Sequence, residues 1–247
     1  MDKIDWASYA LDYDAMCHAN PAYAENIAHL KNRFEGWHLP PNPKVLDIAA
    51  GTGAFICAVG DLVDTAQYTH LDFNPSMNAQ ALIKYKKHGL DVNVIESAFG
   101  DINLPRESQD LVICVNALYA MPQPHAMLRK IRRLTKPGGK FFIIDFGRQM
   151  RVSHWSAYIL KSLVRTRGVP GALAWFWRYR DVLKQNRRGM RAQRKGGYWL
   201  HSSVQFANAL ERSGWHIEEL TTCYQGYCDL AVCRSNLSVV PARSIET

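Results

Sequence analysis

One segment constrains the fold of this 247-residue chain more than any other, the run VLDIAAGTGAF at residues 45–55. The apolar run Lys44–Ile48 leads into a turn of small residues, and a stretch with helical character follows. This pattern predicts a buried strand, a tight loop and the start of a helix. Because Gly51 and Gly53 carry no Cβ, the loop backbone can approach a ligand closely.

The residues around the loop indicate which ligand it would accept. Asp72 follows the loop by about twenty residues, at the end of a second apolar run, where an acid suits a pair of ribose hydroxyls. The third glycine of the dinucleotide fingerprint is missing, and the carboxylate of Asp47 would repel a pyrophosphate. Asp47 instead suits a cationic ligand, such as one with an ammonium group. The loop alone also allows a connection that binds no ligand.

At these residues the chain resembles the class I S-adenosylmethionine (SAM)-dependent methyltransferases. Their first motif has the form V-L-D-x-G-x-G-x-G, which VLDIAAGTG matches with Ala49 in place of the first glycine. Three further motifs follow in order. HLDFNPSM supplies Asp72, AFGDINLP supplies Asp101 and Ile102, and a segment from DLVICVNALYAM through KPGGKFFIIDF matches the fourth and fifth strands. The resemblance covers residues 40–146.

The resemblance implies SAM as the cofactor and assigns residues to each part of it. Asp47 and the loop at 51–53 would contact the methionine part, and Asp72 would contact the ribose. An N-terminal tyrosine commonly lies over the amino-acid end in related enzymes, and the fourth strand ends at the same edge of the sheet. The predicted cofactor-binding residues are Tyr13, Asp47, Ala49, Gly51, Gly53, Asp72, Asn116 and, for the adenine, Phe73, Asp101 and Ile102.

Strands and helices alternate from residue 44 to 146, which predicts a parallel sheet with helical crossovers. A short connection at Gln225-Gly226 predicts an antiparallel hairpin, and KPGGK at 136–140 predicts a structural turn. The predicted fold class is α/β, with a Rossmann-like seven-stranded mixed sheet whose last strand is antiparallel, N-terminal helices and a helical cap. The predicted strands are 44–48, 68–71, 92–96, 110–115, 140–145, 215–224 and 227–234, and the predicted helices are 55–62, 75–88 and 125–135.

Four parts are expected along the chain. They are an N-terminal helical lid at 1–43, a SAM-binding core at 44–146, a basic helical cap at 147–200, and a C-terminal helix and hairpin at 201–247 that complete the core. The acidic N-terminus lacks the apolar region of a signal peptide, and no apolar run approaches a membrane span of about 18 residues. We therefore expect a cytoplasmic protein, and we expect its six cysteines to be buried thiols.

The cap contains most of the positive charge. Residues 147–200 include thirteen basic residues and one acid, Asp181, a net charge of +12 against +8 for the whole chain. Three interpretations are open: a solvated helix face, a docking site for an acidic partner such as a carrier protein, and contact with an anionic membrane surface. Nucleic acid ranks below these, because no nucleic-acid-binding module is visible.

The chemistry predicted from the sequence depends on few side chains. Methyl transfer from a sulfonium mainly needs alignment and exclusion of water, and the chain offers no metal-ligand cluster. The catalytic candidates are Tyr13, Tyr119 and His201. The leading hypothesis is a methyltransferase for a small-molecule acceptor in secondary metabolism. The alternatives are a SAM cyclase resembling azetidine-2-carboxylate synthases, which release methylthioadenosine, and a SAM-binding subunit without activity.

Overall fold

The computed structural model describes residues 6–236, in which seven strands form one mixed sheet in the order β3-β2-β1-β4-β5-β7-β6. β7 is antiparallel to both of its neighbours, and the other pairs are parallel. The predicted fold class is confirmed. The strands are β1 Lys44–Ile48, β2 Gln67–Asp72, β3 Val92–Glu96, β4 Gln109–Val115, β5 Thr135–Phe146, β6 Trp215–Cys223 and β7 Cys228–Ser235.

Eight α-helices flank the sheet within the described residues. Apolar side chains alternate along the central strands between two buried clusters, so that in β4 Ile113 belongs to one cluster and Val112 to the other. Helices α5 and α8 cover the second cluster, and the other helices that pack on the sheet cover the first. The helices are α1 Trp6–Ala19, α2 Pro21–Phe34, α3 Ala54–Gly60, α4 Pro75–His88, α5 Pro124–Leu134, α6 Val152–Arg178, α7 Arg180–Arg194 and α8 Ser203–Arg212.

The order of the strands positions the ligand site. The chain runs outward from β1 through β2 to β3 and then returns to the other side of β1 with β4. In parallel sheets of this kind, ligands bind beyond the carboxyl ends of the strands where the order reverses. The loops after β1, β2 and β4 therefore meet at one edge.

The KPGGK turn departs from the prediction, because it lies inside β5 rather than before it. The pairing of β5 with β4 shifts register there, since Gln109 faces Thr135 whereas Leu111 already faces Lys140. Gly138 has a φ of 78°, which a glycine adopts without strain. The turn is thus a wide bulge within one long strand.

The predicted cap is helical and consists of α6 and α7. A non-helical Gly168 (φ 69°, ψ 174°) bends α6 two residues before Pro170, and the chain breaks again at Tyr179. Ala172, Trp175 and Met190 of the cap are buried. All six cysteine side chains are buried, as expected. Among the described residues, no helix is long and apolar enough to cross a membrane.

Candidate functional site

Three residues of the loop after β1 adopt a left-handed backbone conformation. Ala49, Gly51 and Gly53 have φ values of 54°, 57° and 77°. At Gly53 an added Cβ would lie 2.2 Å from the Tyr85 hydroxyl oxygen, so this position needs glycine for space as well as for conformation. Ala49 adopts the same region with a Cβ, which costs roughly 1–2 kcal/mol.

Asp72 connects the loops that follow β1 and β2. Its Oδ2 accepts the Gly51 backbone N–H and its Oδ1 accepts the Asn74 backbone N–H, each at 2.9 Å. Asn74 in turn caps α4, because its side chain accepts the N–H groups of Ser76 and Met77. The largest influence on the pKa of Asp72 is burial, which raises it, whereas these hydrogen bonds lower it. The carboxylate is held rigidly at the end of β2, where it can accept ribose hydroxyls.

Asp47 lies deeper than the resemblance suggests. Its side chain is buried and is not part of the cavity wall. Burial, and then the charge of Asp72, raises the pKa of Asp47 well above its usual range. Its Oδ2 has no hydrogen-bond partner among the described residues. A buried acceptor without a donor is costly, and a ligand ammonium at this loop would relieve that cost.

A cavity of 430 Å³ opens at this edge of the sheet, within the ~300–1,000 Å³ typical of ligand sites. It contains most of the predicted set, although Gly53 lies at the start of α3 and Ile102 packs behind the wall, against the second apolar cluster. The ring of Phe73 is 55% exposed here, which leaves it available to a planar ligand. Predicted residues in the wall are Tyr13, Ala49, Gly51, Asp72, Phe73, Asp101, Asn116 and Tyr119.

Lys130 of α5, which the sequence prediction missed, shapes the wall beside Asp101. Its Nζ donates to the carbonyl oxygens of Phe99, Gly100 and Ile102 at 2.7, 2.9 and 2.6 Å. It also lies 5.0 Å from the centre of the Phe99 ring. One ammonium group thereby fixes the loop that would face the adenine. The basic side chain of a surface helix gives no sign of this role in the sequence.

Asp14 of α1 was also missed, and it attaches the N-terminal helix to the site. Its Oδ1 accepts from the hydroxyl of Thr52 at 2.6 Å and from Nζ of Lys84 at 2.9 Å. Thr52 is the residue between the two motif glycines, and Lys84 belongs to α4. The neighbouring Tyr13 lies in the cavity wall. The contact therefore holds α1 over the loop.

A second cavity of 180 Å³ lies between α1, the core and the cap. Tyr13, Asn116 and Tyr119 belong to the walls of both cavities, so the two adjoin. Its wall is rich in aromatic rings, and Arg187 is the one charged residue among the described residues that form it. The aromatic lining residues are Tyr13, Tyr119, Phe146, Trp155, Phe176, Tyr198 and Tyr224.

Tyr119 lies at the junction of the cavities. Its ring contacts those of Phe146 and Tyr198 edge-on, at 5.3 and 4.9 Å between centres, and its backbone N–H donates to Asp145. Burial raises the pKa of the Tyr119 phenol above its usual range. The phenol therefore stays protonated at neutral pH and can donate a hydrogen bond.

His201 does not reach either cavity, and its position does not support a catalytic role. Its ring stacks on Phe206 and lies between two buried carboxylates, with Nε2 3.6 Å from Asp145 and Nδ1 3.6 Å from Asp229. Arg148 pairs with Asp229 at 2.5 Å. His201 was chosen because the cap rejoins the core there, but the sequence does not show that Asp145 of β5 and Asp229 of β7 meet beside it. The residue belongs to a structural polar cluster.

Comparison with known proteins agrees with this geometry. The model of a family described as "Methyltransferase domain" matches residues 46–143. The ubiquinone/menaquinone biosynthesis C-methyltransferase UbiE of Shewanella sediminis is 30% identical over 146 residues, 57% of each chain. A hybrid PKS-NRPS synthetase, lepA of Aspergillus flavus, is 32% identical over 116 residues, which are 44% of this chain and 3% of that protein.

A solved structure shows the same fold. The SAM-dependent methyltransferase of Aquifex aeolicus superposes with a TM-score of 0.55 at 18% identity, over 84% of this chain and 93% of that one. Over residues 46–143 the chain is similar to this methyltransferase domain family, and its fold is that of a SAM-dependent methyltransferase. Its cofactor is SAM, and the orphaned Asp47 oxygen, the rigid Asp72 carboxylate and the exposed Phe73 ring fit the three parts of that molecule. The chain spans little more than half the length of the UbiE relative.

Proposed function

We propose that this protein transfers the methyl group of SAM to an apolar, small-molecule acceptor in secondary metabolism. The observation that carries the proposal is the pair of adjoining cavities, one formed by the SAM motifs and one by aromatic side chains under the cap. Tyr13, Asn116 and Tyr119, common to both walls, would lie where the methyl group passes. Bound SAM supplies the activated methyl group, and the protein aligns the acceptor and excludes water.

The second cavity also suggests a chemical class for the acceptor. None of the described residues in its wall is an Asp, Glu, His or Lys that could remove a proton from an acceptor. An acceptor that ionises readily, such as a phenol or an enolisable dicarbonyl, needs no such base. Arg187, which is exposed in this wall, would stabilise its negative charge, and the protonated Tyr119 would donate to its oxygen. Its electron-rich carbon or oxygen would then take the methyl group.

The relatives are consistent with this choice. The UbiE relative is named as a C-methyltransferase of quinone biosynthesis, and the synthetase relative belongs to polyketide chemistry. Both names suggest acceptors in which a carbon atom is the nucleophile. A cyclase that acts on SAM alone would need no space for an acceptor, whereas this chain has a separate cavity of 180 Å³. We therefore place methyl transfer ahead of cyclisation.

The experiment is to incubate the full chain with SAM carrying a deuterated methyl group, with and without a panel of phenols and β-dicarbonyl compounds. Mass spectrometry should find S-adenosylhomocysteine and one labelled product in equal amounts, only when an acceptor is present. Methylthioadenosine with a cyclised amino acid, formed without an acceptor, would overturn the proposal. Tight SAM binding without turnover across the panel would favour the inactive subunit.

A further inference from the structure

The outer side of α6 carries large apolar side chains that the fold leaves in solvent. Leu160 and Val164 lie one helical turn apart before the bend at Gly168, and Leu173 and Trp177 lie one turn apart after it. They are 41%, 36%, 63% and 75% exposed, and Val169 at the bend is 57% exposed. We call these five residues the outer cap face.

The opposite side of the same helix explains the orientation of this face. Ile159 and Leu163 before the bend, and Ala172 and Trp175 after it, are buried in the first apolar cluster. Both halves of α6 therefore pack inward with one side. The outer cap face therefore lies on the side of α6 that is exposed to solvent.

Basic side chains are interspersed with the outer cap face. Lys161, Arg165 and Arg167 are exposed between its members, and the Arg180 guanidinium lies 5.4 Å from the centre of the Trp177 ring. The one acid of the cap, Asp181, pairs with Lys184. The remaining twelve basic residues of the cap include Arg148, which pairs with Asp229 inside the fold, and eleven that are exposed.

We propose that the outer cap face docks on an anionic lipid bilayer. A face that mixes exposed Trp and Leu with Lys and Arg has the composition of helices that lie in the interface of a membrane, where the apolar side chains enter the acyl region and the cations meet the headgroups. An acidic protein would match the charge, but it would not require five exposed apolar side chains around one bend. The inner side of α6 lines the second cavity through Trp155 and Ile159. Docking would thus bring the acceptor cavity close to a lipid phase.

The test is cosedimentation of the full chain with phosphatidylcholine vesicles, with and without about one third phosphatidylglycerol, at low and high salt. We expect binding to the anionic vesicles only, and weaker binding at high salt because exposed charges are screened. Arg165→Gln with Arg167→Gln should weaken it about 25-fold, since each basic residue near such a surface contributes about a factor of five. Leu173→Ser with Trp177→Ser should also release the protein.

Two matched controls lie on α4, where exposed residues of the same kinds occur. Lys86→Gln with Lys87→Gln, and Leu82→Ser with Ile83→Ser, should leave vesicle binding unchanged. Brominated lipid chains should quench the fluorescence of the wild type more than that of Trp177→Phe. Failure to sediment with anionic vesicles, or an equal loss in the α4 controls, would overturn the proposal. So would binding to an acidic carrier protein or to nucleic acid in preference to the vesicles.

Discussion

We expect the cofactor site to depend most on Asp72, because its one carboxylate joins two loops and faces the cavity. We expect Asp72→Ala to weaken SAM binding about a hundredfold, since losing a charged acceptor costs about 3 kcal/mol. Isothermal titration calorimetry measures this directly. Asp91→Ala removes an exposed carboxylate outside the cavity wall and should bind normally. An affinity within threefold of wild type in Asp72→Ala would contradict the assignment.

We expect Asp47 to make SAM binding depend on pH. Because burial raises the pKa of Asp47 in the folded protein, the side chain favours the protonated form when no ligand is bound. The free energy of unfolding therefore decreases as the pH rises through this folded-state pKa. A bound ammonium group would favour the ionised form. We therefore expect SAM binding to release a proton, and affinity to increase with pH across the titration of Asp47. Calorimetry in buffers of different ionisation enthalpy should show this release.

The Asp47→Asn variant is the control for that prediction, because it keeps the shape of the side chain without the ionisation. At a pH well below the pKa of the SAM amino group, that group stays charged with both proteins, so the difference between them isolates Asp47. If the two proteins release the same number of protons, the buried acid does not meet the ammonium group.

At this scale, the position of a residue could be predicted where it follows from its neighbours in sequence. Asp72 and Gly51 lie beside the ends of strands that the apolar runs define, so their positions at the edge of the sheet could be predicted. The placement of His201 could not, since its partners Asp145 and Asp229 are brought together by the pairing of β5 with β7. That Asp72 and Gly51 contact a ligand stays a prediction.

At the scale of elements, the carboxylate of Asp14 joins α1 to the loop after β1 and to α4. We expect Asp14→Asn to weaken SAM binding about fivefold to twentyfold and to speed proteolysis near the N-terminus, because the ion pair with Lys84 is lost and the acceptor for Thr52 is weakened. The effect on unfolding should stay within about 1 kcal/mol, as the pair is partly exposed. Asp12→Asn, on the same helix, is the matched control.

Calorimetry and timed digestion with and without SAM distinguish the outcomes for Asp14. SAM should protect the N-terminal helix in wild type and protect it less in Asp14→Asn. Unchanged affinity together with unchanged digestion would mean that α1 is held in place by its apolar contacts alone. The sequence predicted a helical lid but not its attachment to the loop, because Asp14 and Thr52 are far apart in the sequence.

The elements themselves were largely predictable, because periodicity and turn residues define them locally. The apolar runs located all seven strands, with β1 and β3 matched at both ends. The longer β5 was missed at its start because KPGGK has the composition of a turn and forms a bulge instead. The bend at Gly168 and the break at Tyr179 depend on how the cap packs, which helical spacing does not show. The end of the predicted C-terminal segment, residues 237–247, lies outside the described residues.

At the scale of the whole molecule, we expect the sheet core and the added helices to have different tasks. The core places the SAM motifs at one edge, and α1 with the cap encloses a second cavity beside it. The division of the chain into lid, core, cap and C-terminal segment stays a proposal, and it is based on the separation of the two cavities. The core was predictable from its motifs, whereas the acceptor cavity is formed by residues from both ends of the chain and could not be assembled from sequence.

The central claim is that the second cavity holds the acceptor, and filling it tests that claim most directly. Ser156 is a partly buried residue of the cavity wall, whereas Ser153 is exposed on the same helix and outside the wall. We predict that Ser156→Trp lowers kcat/KM for the acceptor about a hundredfold and leaves the Kd for SAM unchanged, while Ser153→Trp changes neither. Methyl transfer by Ser156→Trp at the wild-type rate would contradict the account.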